Sequence, residues 1–142
     1  MRSESVPRPH ALALWGLTLL FGLRILAQPL SQIVPGLPGF DAWHGGVLPY
    51  PALLLSQVAI ASTMVIVNLR LARGVLVPRP RLGRWLASLG TLYFAGMLLR
   101  LVLGQTLYAG SSWLDRPLPA LFHLVLAAWL LLLARHHLRH AR

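Results

Sequence analysis

The sequence predicts an all-α integral membrane protein, a bundle of four antiparallel transmembrane helices with both termini in the cytoplasm. Three observations carry that expectation. Apolar residues make up 56% of the 142 residues and charged residues only 11%, where soluble domains carry about 25% charged residues. The apolar residues fall into four runs of the length that crosses a bilayer, which takes about 20 residues. The arginines gather in alternate connections between those runs.

The first span covers about Ala11–Gln28 and is interrupted by Arg24. The basic stretch ahead of it, MRSESVPRPH, also suits a secretory signal. Arg24 inside the run, and ILAQP in place of a small-residue cleavage site, favour a retained helix. The first connection, SQIVPGLPGFDAWHGGVLPYP, is rich in Pro and Gly and has no Lys or Arg. It predicts a structured loop, with Trp43 and Tyr50 placed at the water–lipid interface. Its second half, FDAWHGGVLPY, reads as a tight re-entry loop, or else as a lid over polar groups in the spans.

The second span, about Pro51–Leu71, follows a stretch with no charged residue between Asp41 and Arg70. The second connection holds Arg70, Arg73, Arg79, Arg81 and Arg84, and Pro78, Pro80 and Gly83 predict a turn before the next helix. The third span, about Leu86–Tyr108, contains Arg100 and a small-residue stripe, Ala87, Thr91 and Ala95. Such a stripe suits close helix packing, within the chain or with a second copy. The fourth span, about Leu118–Ala134, lies between Arg116 and Arg135, and the tail ARHHLRHAR carries three Arg and three His. Runs this continuous are helices rather than the alternating strands of a barrel. Arginine is concentrated in the N-terminal tail, the second connection and the C-terminal tail, which predicts an in–out–in–out–in path through a plasma (inner) membrane.

Depth singles out four polar side chains. Arg24 lies thirteen residues beyond the start of its span, roughly 20 Å, and Arg100 fourteen beyond Leu86, roughly 21 Å. Gln57 and His123 lie roughly 9 Å and 8 Å from the outer ends of theirs. One residue from each helix thus falls in the same outer third of the bilayer. The arginines can snorkel to lipid phosphates, or pair with Asp41 or Asp115. Alternatively, Arg24, Gln57, Arg100 and His123 line a shared ligand-binding pocket, since paired guanidiniums hold carboxylate or phosphate well.

Other chemistry finds little footing. The chain has no cysteine, which excludes disulfides, thiolate metal sites and cysteine nucleophiles. Its three acids, Glu4, Asp41 and Asp115, leave no paired carboxylates, and no nucleotide or HExxH motif is present. Ser111 and Ser112 have no adjacent base. A His44–His123 haem pair and a His123–Tyr93 proton relay lack further support. His136 and His140 are spaced for joint metal binding, but the interleaved arginines favour anionic headgroups instead. The net charge of +10 is distributed around apolar runs rather than on a soluble basic face, so no nucleic-acid partner is expected. No metal or cofactor is expected either.

The four-span plan is similar to that of small multidrug exporters and of DoxX-like proteins. The exporters depend on an acid in the first span, which this chain lacks, and no motif aligns with the DoxX-like proteins, so no residue role carries over. The expected function is that of a non-enzymatic accessory or assembly component in the lipid bilayer, working with a membrane protein partner or as a homodimer. The alternative is a binding or transport module for an anionic or amphipathic ligand.

Overall fold

The computed structural model describes residues 8–44, 48–110 and 114–140. Arg2, Glu4, Gly45, Gly46, Ser111, Ser112 and Arg142 lie outside the described residues. Within them the chain is all-helical: α1 Arg8–Leu30, α2 Phe40–Trp43, α3 Tyr50–Ala72, α4 Pro80–Thr106 and α5 Pro117–Arg139. Each of the four long helices is long and apolar enough to cross a membrane.

The boundaries differ from the expected spans where polar residues continue a helix. α4 begins at Pro80 rather than near Leu86. Proline suits the first turn, where its missing N–H would have no intrahelical partner. α5 continues through RHHLR to Arg139, because cations at a helix C-terminus complement its dipole. The single turn α2 was not expected inside the first connection.

α1 and α5 pack against each other at the centre. α3 lies on α1, α4 lies on α5, and α2 sits across α1 and α5, while α3 and α4 make no close backbone contact among the described residues. The buried stripe of α1 is Leu14, Thr18, Phe21, Arg24 and Gln28, spaced three or four apart as one helical face requires. Its apolar half joins Met64 and Leu71 of α3 and Trp129 and Leu133 of α5 in the core.

Buried within that core is a polar link. Thr18 Oγ1 donates to the Leu14 carbonyl at 2.9 Å. Asn68 Nδ2 donates to Thr18 Oγ1 at 2.9 Å, and Asn68 Oδ1 accepts from Trp129 Nε1 at 3.2 Å. One amide therefore ties three helices, with both of its polar atoms engaged.

The α4–α5 contact is built on glycine. Gly83, Gly90 and Gly104 are buried on α4. A Cβ at Gly83 would lie 2.9 Å from the Leu138 side chain, one at Gly90 would lie 2.9 Å from Leu131, and one at Gly104 would overlap the Leu114 carbonyl. The stripe Ala87, Thr91 and Ala95, read from sequence as packing within the chain or against a second copy, is not the seam within the chain, since Thr91 and Ala95 are exposed and Ala87 is only half-buried. The packed face follows positions seven residues apart, which stay on one seam over many turns, whereas a four-residue step drifts around the helix. At the end of the molecule bearing the arginine-rich loop, His137 Nδ1 accepts from the Arg79 backbone N–H at 3.1 Å, satisfying a donor at the start of α4.

Two outcomes follow for thermal unfolding in mild detergent. Gly104→Ala should lower stability by about 1–3 kcal/mol through overpacking, whereas Gly96→Ala, whose Cβ meets nothing within 4 Å, should be neutral or stabilising. Asn68→Leu should destabilise by about 1–3 kcal/mol, because Trp129 Nε1 loses its acceptor; an unchanged midpoint would mean that this link does not hold the helices.

Candidate functional site

A cavity of about 220 Å³ opens near the end of the molecule opposite the arginine-rich loop. Phe21 and Arg24 of α1, Ser56 and Gln57 of α3, Tyr93 of α4, and His123 and Leu126 of α5 line it, with Leu48 from the first connection. Four helices thus contribute walls, although α3 and α4 do not touch through their backbones.

Arg24 is 4% exposed. Its Nη2 donates to the Trp43 carbonyl at 3.4 Å, its guanidinium carbon lies 5.7 Å from the Phe122 ring centroid, and its buried Nε has no hydrogen-bond partner among the described residues. A cation over an aromatic face is attracted to the ring quadrupole. That attraction does not neutralise the charge. The expected pairing with Asp41 does not form: among the described residues no carboxylate lies within ion-pair distance of Arg24, and the Asp41 carbonyl accepts from Arg116 at 3.0 Å.

The first connection explains the arginine's carbonyl partner. α2 sets Trp43 against α1 and α5, and the indole Nε1 donates to the Pro38 carbonyl at 2.8 Å. Its ring centroid lies 6.1 Å from that of Phe122. Trp43 is therefore a buried residue, 7% exposed, and not the interfacial anchor expected from sequence. Arg116 also donates to the His44 carbonyl, fastening the connection to the start of α5. Phe40 packs edge-on against Tyr50 at 4.9 Å. This half of the connection folds over the helix ends, and Leu48 reaches the cavity wall.

Gln57 is 2% exposed, and neither its amide nitrogen nor its amide oxygen has a partner among the described residues. Opposite it, the Tyr93 hydroxyl and His123 Nδ1 are hydrogen-bonded at 2.5 Å. Arg24 and Arg100 both act electrostatically on Tyr93 and His123. Three of the four residues singled out by depth, Arg24, Gln57 and His123, therefore face one cavity. Arg100, 8% exposed, is buried two turns along α4 from Tyr93, beside the cavity rather than on its wall.

Sequence reasoning gave Tyr93 only a weak role and missed Gln28. Gln28 is 1% exposed with both amide atoms unpartnered, one turn beyond Arg24 on the same face. Its i, i+4 spacing from Arg24 was the available signal. The His123–Tyr93 pair raised from sequence is in hydrogen-bond contact, whereas the His44–His123 pair finds no geometry. His44 Nε2 pairs with the Leu48 carbonyl at 2.9 Å while His123 is engaged by Tyr93. Among the described residues no group of three histidines or acids is arranged to hold a metal. In the tail, the rings of His136 and His140 lie 4.8 Å apart between centroids, alongside Arg135 and Arg139.

Comparison with family models, with curated proteins and with solved structures finds no match for the chain.

Among the described residues the cavity wall offers a guanidinium, an amide, a phenol, an imidazole and a serine hydroxyl and no carboxylate. That donor set suits an anion, because a buried charge without a partner costs several kcal/mol and an unsatisfied amide about 1–3 kcal/mol. Arg24→Met and Gln57→Leu should therefore keep or raise the thermal midpoint of the ligand-free protein. A clear fall in both variants would instead assign these side chains to holding the helices together.

Proposed function

We propose that the protein is a multi-pass inner-membrane protein that binds an anionic ligand in this cavity. In this reading both termini lie in the cytoplasm, the four long helices run antiparallel, and the cavity faces the outer side. The arginine-rich loop and tail support the orientation. The juxtapositions of Gly83 with Leu138 and of Gly104 with Leu114, and of His10 with His136 and of Arg24 with Phe122, support the antiparallel packing.

The observation that carries the reading is Arg24, buried at 4% exposure with no carboxylate partner among the described residues, in a cavity shared with the unpartnered amide of Gln57. Intramembrane charges face the interior and mark ligand or ion paths. The absence of an acid on the wall argues against a cation. The accessory-component reading expects a polar cluster satisfied by its own neighbours, which fits Asn68 and does not fit Gln57 or Arg24 Nε.

Native mass spectrometry of protein released from nanodiscs tests this directly. A discrete mass above the apoprotein, lost in Arg24→Met while the variant still inserts, is the expected result. A bare protein in both samples would return the weight to the accessory reading. For orientation, a fluorescent protein that matures only in the cytoplasm should glow when fused to the C-terminus, and a dark fusion would invert the topology.

A further inference from the structure

The cavity is bounded unevenly. Among the described residues α3, which carries Gln57, and α4, which carries Tyr93, make no close backbone contact. Tyr93 also belongs to a second depression of about 590 Å³, whose other walls are Leu89, Leu92, Gly96, Met97 and Leu130. Apart from the tyrosine, every one of these walls is apolar or glycine.

The two depressions share Tyr93 as a wall and lie along the same two helices. On α5, His123 and Leu126 line the cavity and Leu130 lines the groove, at i, i+3 and i+7 and so on one face. On α4, Leu89, Tyr93 and Gly96 are at i, i+4 and i+7 and likewise share one face. The groove runs roughly 12 Å along α4 from Leu89 to Met97. Its floor is open at Gly96, where a Cβ would meet nothing within 4 Å. A buried cation at one end and an unbroken apolar track at the other complement a molecule with an anionic head and a hydrocarbon chain. The cavity has room for a small head only.

We propose that cavity and groove are two parts of one site for a single-chain anionic amphiphile, a fatty carboxylate or a monoalkyl phosphate. Its head lies against Arg24 and Gln57, and its chain leaves past Tyr93 and follows Leu89, Leu92 and Leu130. The occupant enters sideways from the bilayer through the gap between α3 and α4. This rests on the anion-binding reading of the cavity and extends it to the chain.

The test measures binding of dodecyl phosphate, laurate and ethyl phosphate to the nanodisc-embedded protein and to two variants. In the wild type, ethyl phosphate and at least one long-chain probe should bind, and the tighter of the two long chains identifies the head. Arg24→Met should abolish binding of all three. Gly96→Phe fills the groove without touching the cavity, so it should weaken the long-chain probes by about tenfold or more and leave ethyl phosphate unchanged. Leu92→Trp narrows the same groove from an exposed position and replaces Gly96→Phe if that variant does not fold. Long-chain binding that survives both groove variants but not Arg24→Met would overturn the chain path and leave the cavity reading standing. No binding to the wild type, or binding indifferent to Arg24→Met, would overturn both.

Discussion

The arrangement of the helices depends on how Asn68 is satisfied. In a bilayer no hydrophobic drive pulls one apolar helix onto another, so close packing and interhelical hydrogen bonds must hold them. Asn68 on α3 reaches Thr18 on α1 and Trp129 on α5. Each such bond is worth on the order of 0.6 kcal/mol, so the gain is small. The penalty for misregistry is larger, because sliding any of the three helices would strand buried donors and acceptors. The amide therefore sets the register of α1, α3 and α5 more than it glues them. α4 is held differently, by glycines that let α5 approach its backbone. Two separate attachments to a central pair leave α3 and α4 apart, and the gap between them is the open side of the cavity.

The polar groups in the interior thus divide into two kinds. At Thr18, Asn68 and Trp129 every donor has an acceptor. Further along the same stripe of α1, at Arg24 and Gln28, and across from it at Gln57, buried nitrogens and oxygens have no partner among the described residues. One helix face passes from the first condition to the second within three turns. A fold selected only for packing would place leucine at these positions, since an apolar residue of similar size avoids the desolvation penalty. In the proposed reading these polar groups are kept at a cost to folding because the ligand uses them.

Much of the fold was legible from length and hydropathy, because a membrane-crossing helix must be long and apolar. The errors came where that rule is silent. Pro80 starts α4 inside a polar stretch, RHHLR continues α5 beyond its apolar run, and the four residues of α2 are too few to show a period. Counting residues put Arg24, Gln57, Arg100 and His123 at one level; Arg24, Gln57 and His123 line one cavity, and Arg100 lies outside its wall. Helical phase was not. A helix facing both lipid and protein is apolar on either side, so no amphipathic stripe told which side of α4 packs. Both a four-residue and a seven-residue series of small residues were present. Only the contact with α5 selects Gly83, Gly90 and Gly104. Trp43 was misplaced for a related reason, since an aromatic near a helix end serves the interface or the interior equally well until α2 turns it inward.

The cover of the cavity and its wall share an origin. Arg116, immediately before α5, holds the carbonyls of Asp41 and His44, and the same stretch of α5 supplies Phe122 beneath Arg24 and His123 opposite Gln57. A shift at the start of α5 would move the connection, the aromatic partner of Arg24 and the Tyr93–His123 pair together. α2 already occupies the end-on approach, with the Trp43 carbonyl on the guanidinium. The side approach is bounded by α3 and α4, which are joined to the rest of the molecule but not to each other. In the proposed reading the occupant enters on this side, where no contact between the α3 and α4 backbones among the described residues has to break.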